Sequence, residues 1–135
     1  MTAKEWLSRA RSIEGELDAL NEAREIMEAR LTKGVQTLTG DTVQSSKDPH
    51  AFDKLGELTW QIMEQTRELD RVKAEIEAVI RKVENGKYRE LLVRRYLNGK
   101  TFEAVAVEMH YTWRQVHRLH GRALIAVAEV LKCQA

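Results

Sequence analysis

The chain is poor in cysteine, proline and aromatic residues, and each shortage excludes a class of structure. Its 135 residues include one cysteine, one proline, three tryptophans, three tyrosines and two phenylalanines. A single thiol, Cys133, cannot form an internal disulfide, and this usage is typical of a reducing cytoplasm. Because the only proline is Pro49, no other position carries the residue that most strongly breaks a helix.

Long apolar segments are missing as well. The longest unbroken apolar run covers residues 123–128, which is far shorter than the roughly 18 residues that a membrane span requires. Lys4, Glu5 and Arg9 lie at the start of the chain, where a secretory signal would have an apolar core. We therefore expect a cytoplasmic protein with no membrane partner.

The net charge of +1 is small, but the charge is unevenly divided. Residues 1–86 carry 13 Lys and Arg against 17 Asp and Glu, a balance of −4, whereas residues 87–135 carry 9 against 4, a balance of +5. A basic C-terminal part joined to an acidic N-terminal part predicts that only the C-terminal part faces phosphate.

Two long segments have apolar residues at alternating intervals of three and four, which indicates heptad helices. The first seam comprises Trp6, Ala10, Ile13, Leu17, Leu20, Met27 and Leu31, with Arg24 in one slot. The second comprises Leu55, Leu58, Ile62, Gln65, Leu69, Val72, Ile76, Val79 and Val83. We predict an antiparallel coiled-coil hairpin over residues 1–86. A parallel coiled coil between subunits is the main competing interpretation.

Helix-breaking and helix-capping residues predict where these helices begin and end. Glycine and proline in a polar stretch predict a loop at about residues 33–48, and Asp48 before Pro49 predicts the start of the second helix. Asn85-Gly86 predicts its end. Trp60 and Met63 lie one turn apart, away from the seam, and predict a contact between subunits. We therefore expect a homo-oligomer formed through residues 1–86.

Residues 101–122 have the pattern of a helix-turn-helix, preceded by a helix over residues 87–97 that Asn98-Gly99 ends. Thr101 is placed to cap the first short helix, and His110 occupies the turn position that favours a positive φ. Thr112 and Gln115 form a capping box for the last helix. Ala106 is the small residue at the helix crossing. The predicted inner-facing residues are Val105, Met109, Tyr111, Val116 and Leu119.

The first part of the last helix has a basic outer face with no acidic residue between Tyr111 and Arg122, which predicts contact with DNA. The candidate DNA-binding residues are Thr112, Trp113, Arg114, Gln115, His117, Arg118 and Arg122. Of these, Trp113, Arg114, His117 and Arg118 fall on the outer side of the first two turns, which enter the major groove in such motifs. Gln115 and Arg122 lie more to the side, where phosphate contact is expected. The alternatives are a solvated basic surface and, for Trp113, packing on Phe102.

The sequence shows no catalytic or metal-binding constellation. The only serine pair, Ser45-Ser46, has just His50 close by in sequence. His117 and His120 would share one helix with Cys133, but the thiol would lie roughly 20 Å further along it at 1.5 Å per residue. We therefore expect no enzyme activity, no metal and no cofactor.

Residues 88–131 resemble region 4 of bacterial sigma factors, the helix-turn-helix that reads the upstream promoter element. The matching runs are YTWRQVHRL at 111–119, RAL at 122–124, LLVRRYL at 91–97 and TFEAVA at 101–106. The full chain, including VQSS at 43–46, looks like small phage and prophage proteins similar in layout to the ArpU and RinA late-gene activators. Nothing in residues 1–86 resembles the other sigma-factor regions, so this chain is not a complete sigma factor.

The resemblance implies a phage-encoded transcription regulator that binds double-stranded DNA in a bacterial host cell and that could contact RNA polymerase. The all-α architecture would place the coiled-coil hairpin at residues 1–86 and the helix-turn-helix domain at residues 87–135. One alternative is a small terminase subunit for DNA packaging. Another is an interaction module that binds RNA polymerase without touching DNA.

Overall fold

The computed structural model describes residues 1–37 and 50–134, and every regular element among them is a helix. The α-helices are α1 (Ala3–Leu7), α2 (Arg9–Thr37), α3 (Ala51–Arg81), α4 (Gly86–Leu92), α5 (Phe102–Met109) and α6 (Trp113–Gln134), with a π-helical turn at Val93–Leu97. The all-α prediction is confirmed for these residues. None of the described helices combines the length and the apolar character needed to cross a membrane.

The chain divides into two compact units. The terminal unit consists of Met1–Ser12 and Leu69–Ala135, and the middle unit is Ile13–Glu68. This division differs from the predicted boundary at residue 86 because α1 packs on α6 and the end of α3 is buried in the terminal unit. Arg9 also bonds Glu75 there, with 2.9 Å between Nη2 and Oε2. The buried side chains near the end of α3 are Val72, Ile76, Val79, Ile80 and Val83.

In the middle unit, burial follows the two predicted apolar seams. Leu17 is buried, and the other seam positions of this unit are half-buried. These half-buried positions are Ile13, Leu20, Arg24, Met27 and Leu31 in α2, and Leu55, Leu58, Ile62 and Gln65 in α3. Most intervening side chains are exposed. The period of about 3.5 that the sequence predicts is therefore the period of burial.

The first predicted helix differs at both ends from the observed ones. It is broken at Ser8, whose hydroxyl donates to the carbonyl oxygen of Lys4 at 2.7 Å, a local bond that competes with regular helix continuation. α2 then passes through Gly34 and ends at Thr37, so the prediction that the loop begins at about residue 33 was wrong. An internal glycine costs only about 1 kcal/mol. Residues 33–37 of the predicted loop are therefore helical, whereas residues 38–49, which include residues 43–46, Asp48 and Pro49, lie outside the described residues.

The Asn85-Gly86 pair was assigned to the wrong helix. α3 ends at Arg81, and the Asn85 side chain instead accepts hydrogen bonds from the backbone of Lys87 at 2.8 Å and Tyr88 at 3.3 Å. Asn85 is therefore the N-cap of α4. The dipeptide is compatible with a helix end or a helix start, so local sequence does not decide between them.

The helix that begins with α4 closes in a π turn. The backbone N–H of Asn98 donates to the oxygen of Val93 at 2.9 Å, five residues back. Gly99 follows with a φ of 71°, which glycine adopts without steric cost. The predicted stop at Asn98-Gly99 is confirmed.

Candidate nucleic-acid interface

The inner-facing residues predicted for α5 and α6 form one apolar cluster. Leu91, Val105, Ala106, Met109 and Val116 are buried together. Phe102, Tyr111 and Leu119 pack against this cluster. The prediction of these core positions is confirmed. The cluster fixes α5 and α6 against each other and against α4, and it thereby determines which face of α6 is left outside.

The turn between α5 and α6 is built as predicted from a left-handed residue. His110 has φ 59° and ψ 38°, in the region that non-glycine residues rarely adopt. The next N–H, that of Tyr111, donates to the oxygen of Ala106 at 2.9 Å. This bond satisfies a carbonyl at the end of α5 and turns the chain sharply into α6.

The capping box at the start of α6 is also confirmed. The N–H of Gln115 donates to Thr112 Oγ1 at 3.1 Å, and the N–H of Thr112 donates to Gln115 Oε1 at 2.8 Å. Both residues are exposed, but their side-chain oxygens are engaged in the cap. Of the predicted DNA-binding residues, these two therefore shape the helix start, and Gln115 keeps only its amide nitrogen for another contact.

Three arginines on α6 are exposed and unengaged. Arg114, Arg118 and Arg122 follow one another at intervals of four residues, so they lie along one side of the helix. Within the part of the chain that the structure describes, none of them has a hydrogen-bond or ion-pair partner. No acidic residue occurs between Glu108 and Glu129. The result is a row of uncompensated positive charge.

The cations just before α5 are held by the protein itself. Arg94 donates from Nε to Glu90 at 3.1 Å and from Nη1 to Glu108 at 2.7 Å, and Lys100 donates to the other oxygen of Glu108. The hydrogen bond from Lys100, assisted by that from Arg94, lowers the pKa of Glu108. Glu108 therefore stays ionised, and together with Glu90 it offsets the charge of two cations that the sequence does not distinguish from those of α6.

Arg89 and Arg95 are engaged as well. Arg95 donates to the backbone oxygen of Lys100 at 2.9 Å, and its guanidinium carbon lies 4.3 Å from the ring centroid of Phe102. Arg89 donates to the backbone oxygen of Val83 at 2.6 Å. Every arginine of residues 87–97 thus has a structural contact, and the unpaired ones of the basic C-terminal part belong to α6.

His117 does not project from the surface as predicted. The residue is half-buried, and its ring centroid lies 4.6 Å from that of Phe102 and 3.9 Å from that of Trp113. Its Nε2 atom is buried without a hydrogen-bond partner. Trp113 itself is 57% exposed, so it covers His117 with part of its ring and presents the rest to solvent. The suggested packing of Trp113 on Phe102 is replaced by this contact with His117.

His120 is a buried polar residue that sequence reasoning missed. It is 7% exposed, and the Tyr96 hydroxyl and the His120 Nε2 form a hydrogen bond of 2.6 Å. Burial lowers the pKa of His120 to about 4, and electrostatic interactions with Lys4, Arg95 and His117 act in the same direction. The available signal was spacing, since position 120 lies four residues after Val116 in the buried row of α6.

No protein-family model, curated protein or solved structure matches this chain. Within residues 1–37 and 50–134, no three His, Cys, Asp or Glu side chains lie close enough together to hold a metal ion. The row Arg114, Arg118 and Arg122, beside the exposed ring of Trp113, is consequently the feature from which function is argued.

Proposed function

We propose that the protein is a non-catalytic, sequence-specific transcription regulator that binds double-stranded DNA through α5 and α6. The observation that carries this proposal is the row of three exposed arginines without partners, on a helix whose opposite face is anchored in an apolar core. Uncompensated surface charge of one sign is the main source of affinity for the phosphate backbone. A short helix, a tight turn and a longer helix is the arrangement that inserts the second helix into the major groove.

The three arginines have two expected roles. Arg114 and Arg118 belong to the first two turns of α6, where a guanidinium can donate two hydrogen bonds to a guanine edge. Arg122 lies one turn further along, where contact with phosphate is favoured. The free backbone N–H groups at the start of α6 add attraction for a phosphate.

The finer architecture belongs to the same proposal. It is a sigma-region-4-like helix-turn-helix joined to an antiparallel coiled-coil hairpin, encoded by a phage and acting in a bacterial cell as a homo-oligomer. The residue matches described above support the sigma-like domain, and the periodic burial along α2 and α3 supports the hairpin. RNA polymerase is a further expected partner, since the resembling family works on promoters.

The arginine row predicts a specific loss of DNA binding. Arg118→Ala should weaken binding to the preferred duplex by about 1–3 kcal/mol if the contact is to a base, and the Arg114→Ala, Arg118→Ala double variant should lose more. Circular dichroism should be unchanged, because both side chains are exposed. The duplex is first selected from a random pool with the parent protein, and affinity is then measured by fluorescence anisotropy.

A matched control is Arg81→Ala, which removes an equally charged, exposed side chain from α3 and should leave affinity unchanged. Affinity of the parent should also fall steeply between low and physiological salt, because arginines that neutralise phosphates release counterions. A double variant that binds as tightly as the parent contradicts the groove assignment. A flat salt dependence instead favours an interaction module that binds a protein partner without DNA.

A further inference from the structure

We infer that Trp113 is a specificity-determining residue that recognises the C5 methyl group of a thymine in the major groove. This inference rests on the proposed function, because it names what one side of the same surface reads. The sequence alone leaves Trp113 open between a core residue and a DNA contact. In the structure the ring is largely exposed and also packs against His117, which favours a DNA contact over a core position.

The indole is held in place from within the protein. Trp113 is the first residue of α6, and its ring lies against that of His117, with 3.9 Å between centroids. His117 in turn meets Phe102 at 4.6 Å, and Phe102 packs on the buried cluster. The stack therefore connects the exposed indole to the core, so little side-chain entropy is lost when another surface covers it.

The exposed part of this ring has an apolar surface in a polar setting. Trp113 is 57% exposed and precedes Arg114, the first of the unpaired arginines. An isolated exposed apolar residue needs no explanation, but this one is preorganised at the N-terminal turn of the helix proposed to enter the groove. In such motifs the N-terminal residues of that helix are the ones that touch base edges.

Among the groups on base edges in the major groove, the thymine methyl is the largest apolar one. A phosphate oxygen could accept a hydrogen bond from the indole N–H, but it would leave the ring carbons in water. Burial of the ring against a methyl removes apolar area on both sides. Arg114 next to it would then read a guanine, which predicts adjacent thymine and guanine contacts in the site.

Replacing thymine by uracil tests this directly, since uracil lacks only the methyl and keeps the same hydrogen-bonding groups. The full chain selects its duplex from a random pool, and each thymine of that duplex is then replaced by uracil in turn. For the parent, one replacement should weaken binding about fourfold, the change expected for one buried group of methyl size. Trp113→Ala should bind the thymine duplex and this uracil duplex with equal affinity. Trp113→Phe should keep the parent's preference for thymine.

The control is Ile125→Ala, which removes another exposed apolar residue from α6, 63% exposed and three turns further along. This variant should retain the parent's uracil sensitivity. A parent that binds DNA but tolerates uracil at every position overturns the inference while the proposed function stands. A sensitivity that persists in Trp113→Ala overturns it as well. A parent that selects no duplex contradicts both proposals.

Discussion

The cationic side chains near α5 and α6 form two groups, those paired with a carboxylate of the protein and those without an acidic partner. Arg94 and Lys100 share the carboxylate of Glu108, so their charge is used to join the segment before α5 to α5 itself. Arg114 and Arg118 have no such neighbour among the described residues. A phosphate or a guanine edge can therefore approach them without displacing an internal ion pair. Replacing these two arginines should consequently affect DNA binding and leave the fold unchanged.

His110 provides a test of the turn at the scale of one residue. Its φ of 59° disfavours any side chain with a Cβ and most of all a β-branched one. His110→Val should lower the free energy of unfolding by about 1–2 kcal/mol. His110→Gly should be at least as stable as the parent, because glycine adopts this conformation without a steric penalty. Urea unfolding measures both; valine and glycine variants of equal stability would contradict the left-handed turn.

Helix α6 contributes both to the apolar core and to the proposed DNA-binding surface. Its buried row consists of Val116, His120, Ala123 and Val127. The exposed arginines occupy other positions on the same helix. The π turn at Val93–Leu97 inserts one extra residue into its helix, and Tyr96 of this turn is buried. Its hydroxyl meets His120, so a polar contact joins the π turn to the buried row of α6.

The burial of His120 predicts a defined pH dependence of stability. The pKa of His120 is lowered to about 4 in the folded protein, against an ordinary value near 6.5. Between these values the unfolded chain binds a proton that the folded one excludes. The stabilisation is therefore complete above about pH 6.5 and is lost as the pH falls towards 4, by up to about 3 kcal/mol in the free energy of unfolding.

The measurement is urea unfolding at intervals from pH 7 down to pH 4 for the parent and His120→Gln. Carboxylates also titrate at the acid end, so the informative quantity is the difference between the two proteins. The variant should be less stable at pH 7, and its disadvantage should shrink as the pH falls. His110→Asn removes an exposed histidine and should run parallel to the parent. Parallel curves for His120→Gln would contradict a neutral, buried His120.

For the whole molecule, the exposed apolar residues of α3 predict self-association. Phe52 is 69% exposed, Trp60 63% and Met63 51%, while the seam positions of the same helix are covered. Aromatic residues and methionine are enriched in the cores of protein interfaces. A second copy of the chain is the partner that we propose for this face, as the basis of the homo-oligomer.

Trp60→Glu should reduce the oligomeric state, because it places a charge at the centre of this apolar face. Helicity should be nearly unchanged, since the seam residues are untouched. Gln61→Glu adds the same charge at the adjacent exposed position and serves as the control. Sedimentation at micromolar concentration decides the outcome. A monomeric parent, or a variant with the parent's mass, contradicts the contact, and a ring of many subunits favours the small terminase subunit.

The sequence alone determined the properties that depend on neighbours along the chain. The two heptad seams, the core positions Val105, Met109 and Val116, the capping box at Thr112 and the left-handed His110 could all be predicted. Each follows from helical periodicity or from hydrogen bonds that span a few residues. The candidate surface on α6 could be located for the same reason, because fixing the buried side of a helix also fixes its exposed side.

Only the tertiary structure decided which charged side chains and aromatic rings are engaged within the protein and which remain free to contact DNA. Arg94 meets Glu108 across 14 positions of sequence, and Tyr96 meets His120 across 24. His117 lies beneath Trp113 and against Phe102, which precedes it by 15 positions. Such pairs leave no periodic signal, because they depend on how α4, α5 and α6 pack against one another. Basic residues that look alike in sequence therefore become structural or available only when the helices have come together.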